Sequence, residues 1–564
     1  MHALLPVLLT LVTASASPQV LPADAKAKVD AVFHEYDRSD SPGCALGVYR
    51  DGRIIYERGF GMANLELGVA NSPQSVFDIG STSKQFTAFS IHLLARDGKL
   101  SLDDDIHKWL PEIPTFGKTV TIRHLLHHTS GLRDYIELME LQGVRTEDLS
   151  TDEDALAILA KQKAPNFSPG DEHLYCNSGY FLLSVIVRRA SGQSLRDFAA
   201  ARIFGPLGMR HTQFNDSHTR IVANRATGYA EADGGGFGIE MGDWEQTGDG
   251  AVQTTVEDLQ LWDQNFYEPK VGDRRMIEAM QTVGVLNDGR KLRYASALYL
   301  EPYRGLPTVS HGGAWVGYRA QLLRFPEQKF SVACLCNLAE ANPSRLAHEV
   351  ADVYLGALMT AEAPKAQAKK AAAPRVAVPA AELQRLAGAY RNSESGQIIT
   401  LAARDGKLTG ETGRQAFTLV PTAAGRFRIE GLRGATSDVQ VDGGARGARP
   451  RLLVTSTDAD DNVEKETFEP VELWTPTPAE LEAFAGNYVS GELDTTWTLT
   501  AADGKLFIRH RGLSEDPLRP TVAGVFLLHG MSLTFSRDPN GKVSGFTLDE
   551  GRVRGIAFRR QAAA

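Results

Sequence analysis

Cysteine is scarce in this chain: four residues, Cys44, Cys176, Cys334 and Cys336, stand among 564. So few and so scattered, they exclude a disulfide scaffold. An excess of basic charge is missing too, since 60 Lys and Arg face 69 Asp and Glu, a net charge of −9. Without a run of Lys or Arg there is no basic face, which excludes nucleic acid as a partner. The N-terminal apolar run from Ala3 to Ala14 is too short to cross a bilayer. What remains is ordinary globular composition, 43% hydrophobic and 23% charged, in a length that suits about two to four domains.

The apolar run is followed by Ala14-Ser15-Ala16, the small-residue pattern of a cleavage site, so residues 1–16 read as a secretory signal peptide. The expectation is a secreted or periplasmic protein. No cysteine follows the run, so no membrane anchor is expected after signal removal. An exported chain could pair Cys44 with Cys334 or with Cys336, but the simpler expectation is small buried free thiols. Cys334 and Cys336 lie two apart and cannot pair with each other along one strand.

Residues 361–380 are an Ala/Lys/Pro segment without a core-forming period, and read as a linker. Beyond it lies an internal repeat. Leu386-Ala387-Gly388-Ala389-Tyr390 and Asp405-Gly406-Lys407-Leu408 reappear as Phe484-Ala485-Gly486-Asn487-Tyr488 and Asp503-Gly504-Lys505-Leu506, 98 residues later. Alternating segments and Asp-Gly turns predict two small antiparallel β-barrels of lipocalin-like build, at 381–475 and 476–564. Before the linker, residues 17–360 predict an α+β domain. Its hairpins are Cys44 to Arg58, turning at Asp51-Gly52, and Tyr318 to Cys336, with His311 to Ala314 at the end of a Thr308 strand. Apolar-periodic helices, one after Ser81 and one from Ser178 to Ser191 stopping at Gly192, lie between. An antiparallel sheet closed by both ends of the domain, with a helical subdomain inserted, is the economical arrangement.

Ser81 and Lys84 are three apart at the start of a helix, so they share a face. A serine needs a neighbouring base to become a nucleophile, and desolvation pushes a buried lysine toward neutrality. A backbone N–H at the helix start suits a developing oxyanion. Alone, the spacing means little, because about one Ser-x-x-Lys is expected by chance in such a chain. Tyr175-Cys176-Asn177, at the start of the Ser178 helix, and His311-Gly312-Gly313-Ala314, whose glycines permit close backbone approach, add context. Tyr390-Arg391-Asn392 and His510-Arg511-Gly512 match the same short patterns inside the β repeats and read as decoys.

In this order, Ser81-Thr82-Ser83-Lys84, Tyr175-Cys176-Asn177 and His311-Gly312-Gly313 resemble the three motifs of the serine β-lactamase and penicillin-binding protein superfamily. The likeness is to the class C-like branch that also holds D-aminopeptidases, D,D-carboxypeptidases and esterases. Gly59 to Asn64, Thr121 to Leu132 and Gly248-Asp249-Gly250-Ala251 agree with it. The His-x-Gly motif and two trailing barrels most resemble the D-stereospecific aminopeptidases.

The resemblance implies a β-lactamase-like transpeptidase fold and a Ser81 acyl-enzyme acting on a small peptide, amide or ester. Lys84 or Tyr175 would take the serine proton, Tyr175 would protonate the leaving group, and Asn177 would hold Lys84 and the substrate amide. The N–H groups of Ser81 and Ala314 would form the oxyanion hole, with Gly312 and Gly313 lining the substrate. His311 replaces the lysine usual in β-lactamases, which weakens recognition of a carboxylate. The resemblance also implies that a barrel loop covers the site. No cofactor or metal is expected; the i, i+4 pair His124 and His128, with His127, lacks the acidic partner of a zinc site. Asp458 to Asn462 reads as a solvated hairpin tip rather than a calcium loop. The alternatives are an esterase, a β-lactamase or D,D-carboxypeptidase on the same scaffold, or a silent binding protein for a ligand or cell-wall fragment. The oligomeric state, a homodimer included, is left open.

Overall fold

The computed structural model describes residues 24–360 and 378–562, apart from short loop segments at 393–395, 405, 413–414, 431–434, 444–448, 459–462 and 512. The expected signal peptide, most of the expected linker and the tip after Asp458 lie outside the described residues.

Six antiparallel strands form the main sheet, in the order Tyr299–Tyr303, Leu306–Trp315, Tyr318–Phe325, Phe330–Cys336, Cys44–Arg50, Arg53–Phe60. The chain's early hairpin and its late meander therefore meet at the centre, Cys44–Arg50 against Phe330–Cys336. Asp51 and Gly52, both at positive φ, make the tight turn of the first hairpin. Side chains alternate between two covered faces, so the central strands read as almost continuously apolar. Leu46, Val48, Val332 and Cys334 pack under the helices Ala25–Val32 and Pro343–Leu355. Ala45, Tyr49, Ala333 and Leu335 face the inserted helices, among them Lys84–Arg96 and Asn177–Ser191. The Asn177 helix ends where expected, on Gly192 in the left-handed region.

Two features depart from expectation. Cys44 and Cys336 are not free thiols but a disulfide, because the strand register sets them directly opposite each other. Cys334 and Cys176 stay free and buried. Nor does the Thr308 strand end before His311: it runs on through His311-Gly312-Gly313-Ala314 to Trp315, each paired with the Tyr318–Phe325 strand. The glycines therefore sit in a strand at close quarters, not in a loop.

Each repeat closes into an eight-stranded antiparallel barrel. The offset of 98 is structural as well, since Gly388–Asn392 and Gly486–Ser490 are equivalent first strands. Tyr390 and Tyr488 donate to the carbonyls of Leu386 and Phe484, and both plug their barrels. The decoys thus belong to the barrels: Tyr390–Asn392 lies in a strand of the first, with Tyr390 in its core, and His510 ends a strand of the second, stacked on Trp497. The barrels differ in company. The first has its own core around Leu386, Phe417 and Phe468. The second shares one continuous core with the sheet-and-helix domain, joining Leu138 and Leu141 to Trp497 and Phe558. Buried Arg133 meets Glu492 at 2.7 Å, and the Trp497 indole donates to the Leu141 carbonyl across this junction.

Candidate active site

A bend at Gly80, with φ of 47°, starts the 3₁₀ turn Gly80–Ser83 that runs into the Lys84–Arg96 helix. Ser81 sits partly exposed on that turn and Lys84 is wholly buried beneath it. The Lys84 ammonium donates to three acceptors: Ser81 Oγ at 3.0 Å, Asn177 Oδ1 at 2.8 Å and the Asp249 carbonyl at 2.6 Å. Three donors and three acceptors match for the charged form. When Lys84 is neutral, two N–H groups still serve Asn177 and Asp249, and the lone pair is left facing the Ser81 hydroxyl. Burial lowers its pKa from 10.5 to about 8, opposed by the negative charges of Asp249 and Asp134 and assisted by the positive charge of Arg552.

Tyr175 and Asn177 come from the start of the Asn177–Ser191 helix. Lys84 Nζ lies 4.9 Å from the Tyr175 ring centroid, a cation–π contact. Burial raises the phenol well above its usual range, against the pull of the neighbouring Ser81 hydroxyl, so Tyr175 rests protonated. Its buried hydroxyl, with Ser81 as its neighbour, forms no hydrogen bond of normal geometry among the described residues. The Asn177 backbone N–H donates to the Asp134 carboxylate at 2.6 Å, which fixes the helix start that carries its amide.

His311 is 2% exposed. Its Nδ1 faces the Gly312 carbonyl at 2.6 Å and so carries the proton, and its Nε2 then accepts from the Tyr294 hydroxyl at 3.0 Å. Burial and the Lys84 charge hold its pKa down at about 3, which makes it a neutral imidazole. The third motif reaches the first by backbone contact. A Cβ on Gly313 would lie 1.9 Å from the Ile79 carbonyl oxygen, and one on Gly80 would lie 2.7 Å from Ala314 N. The Thr82 hydroxyl bonds the His311 carbonyl. Ser81 and Ala314 are thereby brought to one edge, with Gly312 beside them on the strand.

The structure thus gathers Ser81, Lys84, Tyr175, Asn177 and His311 around one buried lysine. It leaves His124 and His127 outside that group: His124 Nδ1 receives the Thr121 N–H in a capping box, and His127 packs against Gly284. His128 is a neighbour instead, its ring 4.1 Å from that of Tyr175 and its Nδ1 receiving the Cys176 N–H. Sequence reasoning missed three groups. Asp249 lies in the Gly248 to Ala251 segment, but it touches Lys84 through its carbonyl, which no residue type announces, while its carboxylate acts on the ammonium by charge. Asp134 and Arg552 carried no motif at all.

A serine bonded to a buried lysine one turn on, between an antiparallel sheet and an inserted helical layer, defines a serine hydrolase of the β-lactamase fold. Residues 29–357 match the family described as Beta-lactamase, and the chain belongs to that family. The D-aminopeptidase of Cereibacter sphaeroides strain KD131 is 28% identical over 480 residues, 85% of each chain. Penicillin-binding protein 4* of Bacillus subtilis is 29% identical over 397 residues, 68% of this chain and 86% of its own. Among solved structures, an octameric penicillin-binding protein homologue from Pyrococcus abyssi superposes with a TM-score of 0.55 at 23% identity, covering 79% of this chain and 99% of its own. No helix among the described residues is long and apolar enough to cross a membrane.

Proposed function

We propose that this enzyme is an exported D-aminopeptidase or D-amino-acid amidase that works through a Ser81 acyl-enzyme. The observation that carries the mechanism is the Lys84 ammonium bonded at once to Ser81, Asn177 and the Asp249 carbonyl. Lys84, with its lowered pKa, takes the Ser81 proton as Oγ attacks the substrate carbonyl; Tyr175, whose pKa is raised, is too weak an acid to serve as a resting base. The N–H groups of Ser81 and Ala314 receive the oxyanion; Tyr175 delivers a proton to the departing amine and takes its replacement from the Lys84 ammonium, and neutral Lys84 then accepts a proton from the attacking water and returns it to Ser81 Oγ as the acid leaves. Asn177 holds the lysine and the substrate amide, while Gly312 and Gly313 let the substrate lie against the strand. Neutral His311 offers a substrate carboxylate no cation, which favours amides with a free amino end over β-lactams and C-terminal carboxylates. The D-aminopeptidase relatives support the substrate class, and the N-terminal apolar run supports export to the periplasm or beyond.

The test is turnover of a D-alanine anilide, a short aryl ester and a chromogenic cephalosporin by wild type and Ser81→Ala. We expect the D-anilide to lead and Ser81→Ala to abolish turnover of all three. Equal turnover by Ser81→Ala would sink the mechanism, and an ester preference of orders of magnitude would make the enzyme an esterase.

A further inference from the structure

We propose that Arg552, on the second barrel, is a positioning residue of the acyl-transfer site: it reaches across the domain junction and holds Asp134, the carboxylate on which the Asn177 helix start rests. The inference rests on the reading of Lys84 as the proton acceptor.

Arg552 lies between the strands Val543–Glu550 and Val553–Arg560, on a hairpin that enters the other domain beside the Tyr135–Gln142 helix. Its guanidinium meets Glu137 at 2.7 Å and Asp134 at 3.2 Å, and its own N–H donates to Glu137. Its carbonyl receives the Asp134 N–H and the Asn166 amide. Asp134 is fully buried and has three further duties: it caps the Tyr135–Gln142 helix, accepts the Asn177 N–H and stands close enough to act on Lys84. A buried carboxylate needs a cation or several donors. Arg552 supplies the cation from another domain.

The chain of contacts is continuous: Arg552, Asp134, the Asn177 backbone, the Asn177 side chain, Lys84, Ser81. Docking alone does not require it. Arg133 with Glu492, Lys161 with Asp494, and the Arg133 guanidinium on the carbonyls of Arg554 and Gly555 already fasten the barrel. The charges that act on Lys84 are Asp249, Asp134 and Arg552; the other groups facing it are neutral, namely His128, His311, Tyr175, Tyr180 and the Cys176 thiol, whose pKa burial raises. Without the guanidinium, Asp134 faces Lys84 uncompensated and stabilises the ammonium, the form that cannot accept the serine proton.

The test reads Ser81 directly, through the rate of labelling by a fluorophosphonate probe between pH 6 and 10, in the full-length chain. Arg552→Met should move the rising limb upward by about half to one pH unit and slow labelling at pH 7 by about 3- to 10-fold. Arg552→Lys, which keeps the charge, should stay within about 2-fold of wild type, and Lys161→Met, a docking control, should leave the limb in place. If Arg552→Met does not fold, Arg552→Gln makes the same comparison. A wild-type limb position in the uncharged variant, or the same displacement in Lys161→Met, would overturn the proposal. Failure of the wild type to label at Ser81 would instead overturn the functional reading beneath it.

Discussion

Gly312 and Gly313 are neighbours on one strand, yet they should respond very differently to a single methyl group. At Gly313 the new Cβ would lie 1.9 Å from the Ile79 carbonyl oxygen and 3.0 Å from Thr82 N, both backbone atoms of the segment that carries Ser81. A carbon–oxygen contact needs a little over about 3 Å, so one segment must retreat by about 1 Å. That displacement falls between Ser81 and Ala314, the two N–H groups assigned to the oxyanion. Misplacement on this scale costs about 10²-fold, and loss of one oxyanion donor about 10²- to 10³-fold. At Gly312 the Cβ would crowd the Gln321 side-chain oxygen at 2.9 Å, a flexible group that can swing aside, and would meet the Ala320 carbonyl oxygen at 3.5 Å, an ordinary contact. Gly313→Ala should therefore lose at least about 10²-fold in kcat/KM for a D-alanine anilide, and Gly312→Ala less than about 10-fold. Thermal unfolding of both variants separates a local retreat from global loss, since the strand pairing of Gly313 with Ala320 is otherwise unaltered. Gly313→Ala turnover within about 3-fold of wild type would refute the close approach as the reason for glycine there.

Lys84 titrates at about 8, so kcat/KM should rise with pH through that region as the ammonium loses its proton; a flat profile from pH 6 to 9 would contradict its role as base. Lys84→Met should abolish the limb and cut turnover by at least about 10³-fold, measured by anilide release. Alkylation of the unfolded, unreduced protein should modify two of its four cysteines, Cys176 and Cys334, as read by intact mass; four adducts would mean that Cys44 and Cys336 are not bonded. Glu492→Ala strands the buried Arg133 guanidinium and should destabilise the protein by about 3 to 5 kcal/mol in urea unfolding, whereas an exposed pair would cost under about 1 kcal/mol.

What could be read from the sequence was local. Ser81 and Lys84 announce themselves because one helical turn joins them, and the Asp51-Gly52 turn fixes a hairpin by backbone conformation alone. The barrels declare themselves by repeating. Both ends of the domain were expected to close one sheet, and the resemblance joined Asn177 to Lys84, but the details of register and docking stayed hidden. Cys44 faces Cys336 and not Cys334 through the pairing of strands 292 residues apart. The His311 motif looked like a strand end because its glycines weaken strand propensity, but pairing with Tyr318–Phe325 overrides that. Arg552 has no pattern to betray it: its partner Glu137 is 415 residues away, and only the docking of the second barrel brings them together.

The pairing of the two central strands also sets a timetable for the growing chain. Cys44–Arg50 is synthesised early, but its neighbour Phe330–Cys336 follows 292 residues later. At about 5 to 20 residues per second, this interval lasts about 15 to 60 s. Throughout it the first hairpin carries an unpaired strand edge and a cysteine without its mate. Ser81 cannot acquire Ala314 as its neighbour before that interval is nearly over, nor Arg552 before the last strand of the second barrel emerges. Ser81 is therefore made 233 residues ahead of Ala314 and 471 ahead of Arg552, and the proposed site is complete only once both have docked.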